Sequence, residues 1–578
     1  SNLTDSNVGA RKGRGVRNNS YIVNSVIHET NVNKSKSEGV DLLIGDYRVC
    51  FDAMSLPITT NDLFNAGVTD DKLNLLYKCD ELSNISVKTP FGKTDRFQAK
   101  KIICQGEVNA PVKCTTQIDS ISEDQKSALD KHLYKYKNKV KLPPLGMIDD
   151  QLVVTKCGLG SALASANLNS MSNNLKKLQF GPEKTVKMHV GNGNITCPRN
   201  LIDTFHLEST KAKPSSILDM ADVEGDKHCL ETVSSWTYLG DVLQSNGKCD
   251  LNIKEKVGKG LGAIKQITQM LSDLCLGPYL YEAFKVLRSS LFLSSVLSNS
   301  ESWVGLSNKN ITDLESVDEQ LLRSIFSSDL TKHAKTPKEL LYLETGTIPI
   351  RFIIMSRRLN FCWYLLNQDE DSLLGEFFKA QCDSPTKGDW VSMVKQDIGD
   401  PELDMTFDQI KGCSKETFKD SVKKHVNAAA FKYLITLQKT HSKAKMMHYS
   451  ELNLQQYLDS DCNPMTNKEK IFSFAARSHM LNVKCNFKLG KVDLKCSLGC
   501  DQDETQNHLF ICPALEDDES EVITGNYRDI YSNDREKVRL VTRTLMTRFQ
   551  RFLHKQTTVH RTPKPCAATA NNNAFVNV

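Results

Sequence analysis

Apolar and polar positions along this chain fall into two textures that meet near Tyr238. Before that residue, short apolar runs are set off by turn residues. Asp41 to Phe51 reads as one apolar strand with a carboxylate, Asp46, near its end. Leu142 to Lys156 holds two short apolar runs pinched around Asp149 and Asp150, the pattern of a β-hairpin with carboxylates at its tip. Asn84 to Thr89 alternates as a strand, and Val186 to Val190 is a further one. Helices are predicted over Thr59 to Ala66, closed by Gly67 as a glycine C-cap, over Gly106 to Ser120, and over Ser161 to Leu178. Strands with helices packed on one face predict an α+β domain.

Beyond Tyr238 the spacing turns to long amphipathic helices: Ile253 to Leu271, Tyr279 to Ser298 and Ile311 to Phe326. In the last of these Ile311, Leu314, Val317, Leu321, Leu322 and Ile325 recur at helical spacing, which predicts a core-facing stripe. Thr336 to Glu344, Pro349 to Leu366 and Phe418 to Thr440 continue the helical texture, with Arg357 and Arg358 expected on a surface that could meet nucleic acid. Breaks near Asp383 to Gly388 and Gly399 to Pro401 read as loops. A final stripe of Val538, Val541, Leu545, Phe549 and Phe552 predicts a docked helix, and the Ala- and Asn-rich residues after Pro565 predict disorder.

A length of 578 residues allows roughly three or four domains, and a net charge of only +5 excludes a polycation. Basic character is local instead. Arg11, Lys12, Arg14 and Arg17 form one cluster that could reach a template backbone or triphosphate. Lys537 to Lys564 holds eight Lys or Arg and no acidic residue, so Arg539, Arg543, Arg548, Arg551 and Lys555 are expected to face phosphates. Eighteen cysteines are scattered among thirteen histidines without the density of a small secreted scaffold, and no signal peptide or run of eighteen apolar residues appears. These features predict a reduced intracellular protein, nuclear or cytoplasmic, with no membrane partner.

Two constellations carry chemistry. If the Asp46 strand lies antiparallel beside the hairpin, Asp46, Asp149 and Asp150 converge and can hold two Mg²⁺ about 3.5–4 Å apart, with Mn²⁺ a possible substitute. Successive strand residues point to opposite faces, so Asp46 and Asp149 are expected as the main ligands and Asp150 as the secondary one. Cys496-x3-Cys500-x7-His508-x3-Cys512 has the spacing of a closed, structural Zn²⁺ site.

The order of short motifs resembles the reverse transcriptases of non-LTR (LINE-type) retrotransposons over roughly residues 5 to 345. Asp46-Tyr-Arg-Val-Cys-Phe51-Asp52 is similar to that family's first palm motif and Ile103-Cys-Gln105-Gly106 to its Gln-Gly motif. Met147-Ile-Asp149-Asp150 resembles the aromatic-x-Asp-Asp motif, with Met in place of the aromatic residue. Gly181-Pro-Glu-Lys184-Thr185 resembles the next palm motif, and Tyr238-Leu239-Gly240-Asp241 the primer-grip turn. The Cys-Cys-His-Cys cluster is similar to the knuckle found downstream of the polymerase in such proteins.

The resemblance implies a right-hand polymerase palm followed by a helical thumb. The implied domains are a residual fingers segment at 1–35, the palm at 36–235, the thumb at 236–330, a helical region at 331–480, the knuckle at 481–515, and a basic helix and tail at 516–578. Asp46, Asp149 and Asp150 would be catalytic. Arg11, Lys12, Phe51, Gln105, Gly106 and Lys184 would bind nucleotide, with Phe51 as the steric gate against a 2′-hydroxyl. Asp52 is expected to cap rather than to ligate. Implied partners are an RNA template, a DNA primer or target DNA, and dNTP, and no endonuclease constellation follows Cys512. The chain opens within the fingers of the pattern, so a catalytically inactive remnant that binds nucleic acid is the alternative reading.

Overall fold

The computed structural model describes residues 4–9, 11–33, 39–47, 50–98, 107–169, 176, 178, 180–181, 184–192, 204–206, 227–229, 231–274, 279–326, 336–399, 403, 405–441, 444, 447–460, 465–486, 493–516 and 525–559. Its architecture is α+β. It divides into two compact units, Ser1–Gly258 with Leu297–Leu314 and Ile353–Val426, and Lys259–Val296 with Glu315–Phe352 and Asn427–Val578.

The first unit is organised by a five-stranded sheet. Its strands are β1 (Val40–Asp46), β2 (Leu145–Met147), β3 (Asp150–Lys156), β4 (Val186–Val190) and β5 (Glu231–Thr232), in the order β5-β4-β1-β3-β2. All neighbours are antiparallel except β4 and β5. The expected strand over Val186 to Val190 has those bounds. On one face Leu43 and Val153 join a core with Ile118 and Ile121 of the helix Ala110–Ala128 and with Ala164 and Leu168 of Leu159–Asn169.

The other face is covered too. Residues Val40 to Gly45 of β1 are buried without a break, so side chains of both parities are shielded from water. The helix Val16–Val32 packs against β2 and β4, and its inner surface is rich in Asn and Ser. Asn18 donates to the Tyr364 hydroxyl at 3.0 Å, Asn19 to the Gly146 carbonyl at 3.0 Å, and the Tyr21 hydroxyl to Gln381 at 2.5 Å. Those polar side chains satisfy buried partners and hide the helical period in the sequence.

Other elements depart from expectation for local reasons. Asn84 to Thr89 is two short exposed strands, Asn84–Ile85 and Lys88–Thr89, each paired elsewhere, because neither face has a core to meet. In the second unit the helix expected from Tyr279 to Ser298 contains a π-helical turn, Arg288–Phe292. Buried Arg288 there makes a two-pronged pair with Asp318 at 2.8 and 2.6 Å, which the re-aimed turn accommodates. Arg357 and Arg358 are not a surface pair: Arg358 is buried on Asp397 at 2.8 Å, and Arg357 donates to the Leu297 carbonyl. Among the described residues no helix is long and apolar enough to cross a membrane.

Gly45 shows how tightly the sheet is closed near Asp46. A Cβ there would stand 2.7 Å from the Phe180 ring, which is buried and stacked on Tyr47 with centroids 4.2 Å apart. Gly45→Ala is expected to lower stability by about 1–3 kcal/mol through overpacking. Denaturant unfolding against the parent chain checks it.

Candidate functional site

Strand β1 and the β2–β3 hairpin bring the predicted carboxylates together. The register sets Asp46 directly across from Asp150, and Met147 pairs with Asp150 on the other side. Asp149 occupies the two-residue turn with Ile148. By strand alternation Asp46 and Asp150 share the face of Ile44 and Leu152, and both line a cleft of about 280 Å³. Lys184, Trp236, Thr237 and Tyr238 line the same cleft.

Like charges opposed across a sheet repel, and burial adds to the penalty. Burial followed by the charges of Asp149 and Asp46 pushes the Asp150 carboxyl up to about 6. Asp149 is also raised, first by burial and then by Asp46. Lys184 offsets part of this charge, its Nζ 2.7 Å from Asp46 Oδ2. It stands there because the Gly181 amide donates to the Asp46 carbonyl at 2.9 Å and Lys184 turns back onto Gly181. The donor set is oxygen alone, which suits a hard cation such as Mg²⁺.

The hairpin tip is strained and braced. Ile148 has φ +59°, a conformation that a β-branched residue adopts only at a cost of about 1–3 kcal/mol. Residues 6–8 run beside β2, with Val8 N donating to Gly146 O and Gly146 N to Ser6 O, both at 3.0 Å. Gly9 then passes so close that a Cβ would meet the Ile148 nitrogen at 2.5 Å.

A second hairpin, β6 (Ser235–Tyr238) and β7 (Asp241–Gln244), supplies the rest of the cleft. Its two turn residues, Leu239 and Gly240, have φ +48° and +83°, the left-handed pair that matches strand twist. Their carbonyls are held from below: Lys256, fully buried, donates to Gly240 O at 2.8 Å and to Ser298 at 2.5 Å, and Asn299 donates to Leu239 O at 2.9 Å. Asp241 completes the set, 3.1 Å from Lys256 and accepting from Trp303 at 3.3 Å. Sequence reasoning named Tyr238, Leu239, Gly240 and Asp241 but missed Lys256, Ser298, Asn299 and Trp303, which are distant in the chain. It also missed Trp236 and Thr237, whose signal was their place just before the turn.

The remaining predicted residues are distributed differently. Phe51 is half-buried against the core of the sheet, in the short helix Cys50–Ala53 that carries exposed Asp52 in its first turn. Arg11 turns inward to the Thr4 and Asn7 carbonyls, Arg14 pairs with Asp5 at 2.6 Å, and Arg17 lies 4.4 Å over the Tyr364 ring. Lys12 is exposed. Gln105 and Gly106 lie outside the described residues.

Far along the chain, Cys496, Cys500, His508 and Cys512 bring their ligand atoms within 4.8 Å of one another. Cys500 and Cys512 sulfurs are 3.4 Å apart. His508 Nε2 is buried with no hydrogen-bond partner, while Nδ1 lies 3.0 Å from Gln502 Oε1. That arrangement fixes the ring and leaves one nitrogen aimed at a shared point, so the residues fit a soft divalent cation. Burial raises Cys512 to about 12 and also raises Cys496, a cost to their thiolates that a bound cation would offset. Glu504, buried and unanticipated, ties Lys484 N, Ser497 N and the Ser497 hydroxyl to one carboxylate.

The helix Arg535–Val559 buries Val538, Val541, Leu545, Phe549 and Phe552 as expected. Its cations are not a free phosphate-binding row, however. Arg548 is buried and donates to the carbonyls of Leu509 (3.1 Å) and Cys512 (2.6 Å), Lys555 donates to Ala514 O, and Arg543 pairs with Glu469 at 2.6 Å. Carbonyls of the Cys512 segment take up Arg548 and Lys555, and a carboxylate takes up Arg543.

No family model matches the chain, and no curated protein matches it. Among solved structures, the telomerase of Candida tropicalis in complex with a TWJ fragment of telomeric RNA is similar at 11% identity and a TM-score of 0.32, over 72% of this chain and 53% of that one. The Candida albicans telomerase in complex with a TWJ fragment of telomeric RNA is similar at 12% identity and a TM-score of 0.28, over 65% of this chain and 55% of that one. This chain therefore spans little more than half the length of either. Likeness at that level carries no argument about activity.

Two outcomes follow from this geometry. Asp150, raised to about 6, binds its proton in the folded state before the unfolded chain does. Without Mg²⁺, stability should therefore gain as pH falls from 7 through 6 towards 4, and Asp150→Asn should flatten that rise in thermal unfolding. At the cysteine cluster, Gln502→Ala should weaken Zn²⁺ affinity by about 10–100-fold, read by competition with a chromophoric chelator.

Proposed function

We propose that this chain is an RNA-directed DNA polymerase of the non-LTR retrotransposon type, with the sheet of its first unit as the palm. One observation carries the reading. Asp46 stands across the sheet from Asp150 with Asp149 in the adjoining turn, and the same cleft is lined by Lys184 and Tyr238. All five residues were picked out by motifs far apart in sequence, and a chance resemblance gives no reason for them to meet.

In this reading the primer 3′-hydroxyl attacks the α-phosphate of a dNTP opposite an RNA template. The new O–P bond forms as the bond to pyrophosphate breaks. Asp46, Asp149 and Asp150 would hold two Mg²⁺, which would supply charge stabilisation to the attacking and leaving oxygens. The carboxylates sit half-buried, where a fixed charge acts more strongly than in water. Lys184, reaching the cleft from beside Asp46, neutralises charge on the triphosphate and gives a proton to the departing pyrophosphate. The Leu239–Gly240 turn, locked by Lys256 and Asn299, offers a rigid backbone edge to the primer strand. Phe51 presents its ring to the sugar and rejects a 2′-hydroxyl. The Cys-Cys-His-Cys cluster holds a structural Zn²⁺ and steadies a nucleic-acid-binding module.

Primer extension on an RNA template with Mg²⁺ and dNTP tests this. Asp46→Asn and Asp149→Asn should each lower the rate by at least about 10²–10³-fold with circular dichroism unchanged. A folded chain that binds RNA tightly but never extends a primer would defeat the enzymatic reading.

A further inference from the structure

A third cluster lies at the other end of β1. Asp41, on the face opposite to Asp46, is buried and pairs in register with His189 of β4. Its Oδ1 is 2.8 Å from His189 Nδ1, and its Oδ2 accepts from the Gly158 amide at 2.9 Å. Cys157, in the turn that follows β3, places its sulfur 3.7 Å from the same Nδ1. The three ligand atoms lie within 4.8 Å of one another. Along the strand, Asp46 lies five residue steps from Asp41, about 16 Å at the usual rise, so the cluster stands apart from the carboxylate cleft.

The geometry separates two ways of using a cysteine, a histidine and an aspartate. In a nucleophilic relay the thiol and the carboxylate address opposite nitrogens of the imidazole, so that a proton can pass along a line. Here both address Nδ1, while Nε2 is buried and makes no hydrogen bond. The three groups therefore converge on one point rather than forming a chain, and convergence is what a cation requires. A thiolate and a carboxylate would together balance a divalent charge, which matters for a carboxylate as deeply buried as Asp41. Sulfur, nitrogen and oxygen donors in one set suit Zn²⁺ and its neighbours rather than Mg²⁺. The Gly158 amide on the free oxygen of Asp41 supplies the outer support that orients a ligating carboxylate.

We propose that Asp41, Cys157 and His189 form a second site for a borderline divalent cation of the Zn²⁺ class. Cys157 and His189 are half-buried, so a fourth position is open to water or an exogenous ligand. The bound ion ties β1 and β4 to the turn after β3 and so clamps the central strands at the end remote from Asp46.

Metal content of the full chain, saturated with Zn²⁺ and freed of excess, tests this by elemental analysis. Two zinc ions per chain are expected, one at the Cys496–Cys512 cluster and one here. Cys157→Ser, an isosteric change in a half-exposed turn, should remove one. Cys500→Ser should remove the other; loaded with Co²⁺ instead, that variant should bind one equivalent whose thiolate charge-transfer band disappears in the double variant. A parent chain holding one zinc, or a content of two that Cys157→Ser leaves unchanged, would overturn the proposal and leave a histidine–aspartate hydrogen bond beside a bystander thiol.

Discussion

The structure of the first unit turns on two carboxylates forced to face each other across an antiparallel pair. Asp46 and Asp150 could be kept apart by a one-residue slip of register, but such a slip would turn Leu42 and Ile44 out of their core face. The hydrophobic pattern therefore enforces an electrostatic conflict that folding alone does not relieve. Lys184 answers part of it, while burial first and the neighbouring carboxylates second raise the carboxyls of Asp149 and Asp150. A site with unmet demand for positive charge, held by well-packed strands, is the physical basis for reading it as a cation-dependent centre.

The surrounding elements make sense as restraints on that conflict. The positive φ of Ile148 persists because the hairpin tip is gripped from the core below and by the residue 6–9 segment alongside. The Leu239–Gly240 turn is fixed through Lys256, a cation with no exposed surface, whose removal would leave Asp241 buried and unpaired. In the second unit the same logic recurs with different donors. Glu504 and Arg548 have their charges met by backbone amides and carbonyls in and around the cysteine cluster, so that four ligands stay together on a short segment.

What could be read from the sequence was what burial writes into a periodic pattern. The continuous apolar run of β1, the pinched hairpin and the strand Val186–Val190 were legible because each is buried in the sheet, and the stripe Val538 to Phe552 because one helix face meets a core. The helix Val16–Val32 was not legible, since the polar residues Asn18, Asn19, Ser20 and Ser25 occupy its inner surface, and Asn18, Asn19 and Ser25 bond to neighbours there rather than repel water. Basic residues were the poorest guide. Arg11, Arg14, Arg17, Arg358 and Arg548 look like nucleic-acid contacts in sequence, yet each binds a carbonyl, a carboxylate or a ring within its own unit. Charge alone cannot say whether its partner lies inside or outside the fold. The convergence of Asp41, Cys157 and His189 was invisible for a related reason, because it depends on strand order rather than spacing.

The central claim, that Asp46, Asp149 and Asp150 exist to hold divalent cations against a nucleotide, is tested most directly by anomalous scattering from a crystal soaked with Mn²⁺ and a dNTP. The account predicts manganese peaks in contact with Asp46 and with the Asp149–Asp150 turn, on the side of the cleft lined by Lys184 and Tyr238. A bound nucleotide with no manganese at these carboxylates, or manganese only at distant acidic residues, would contradict it.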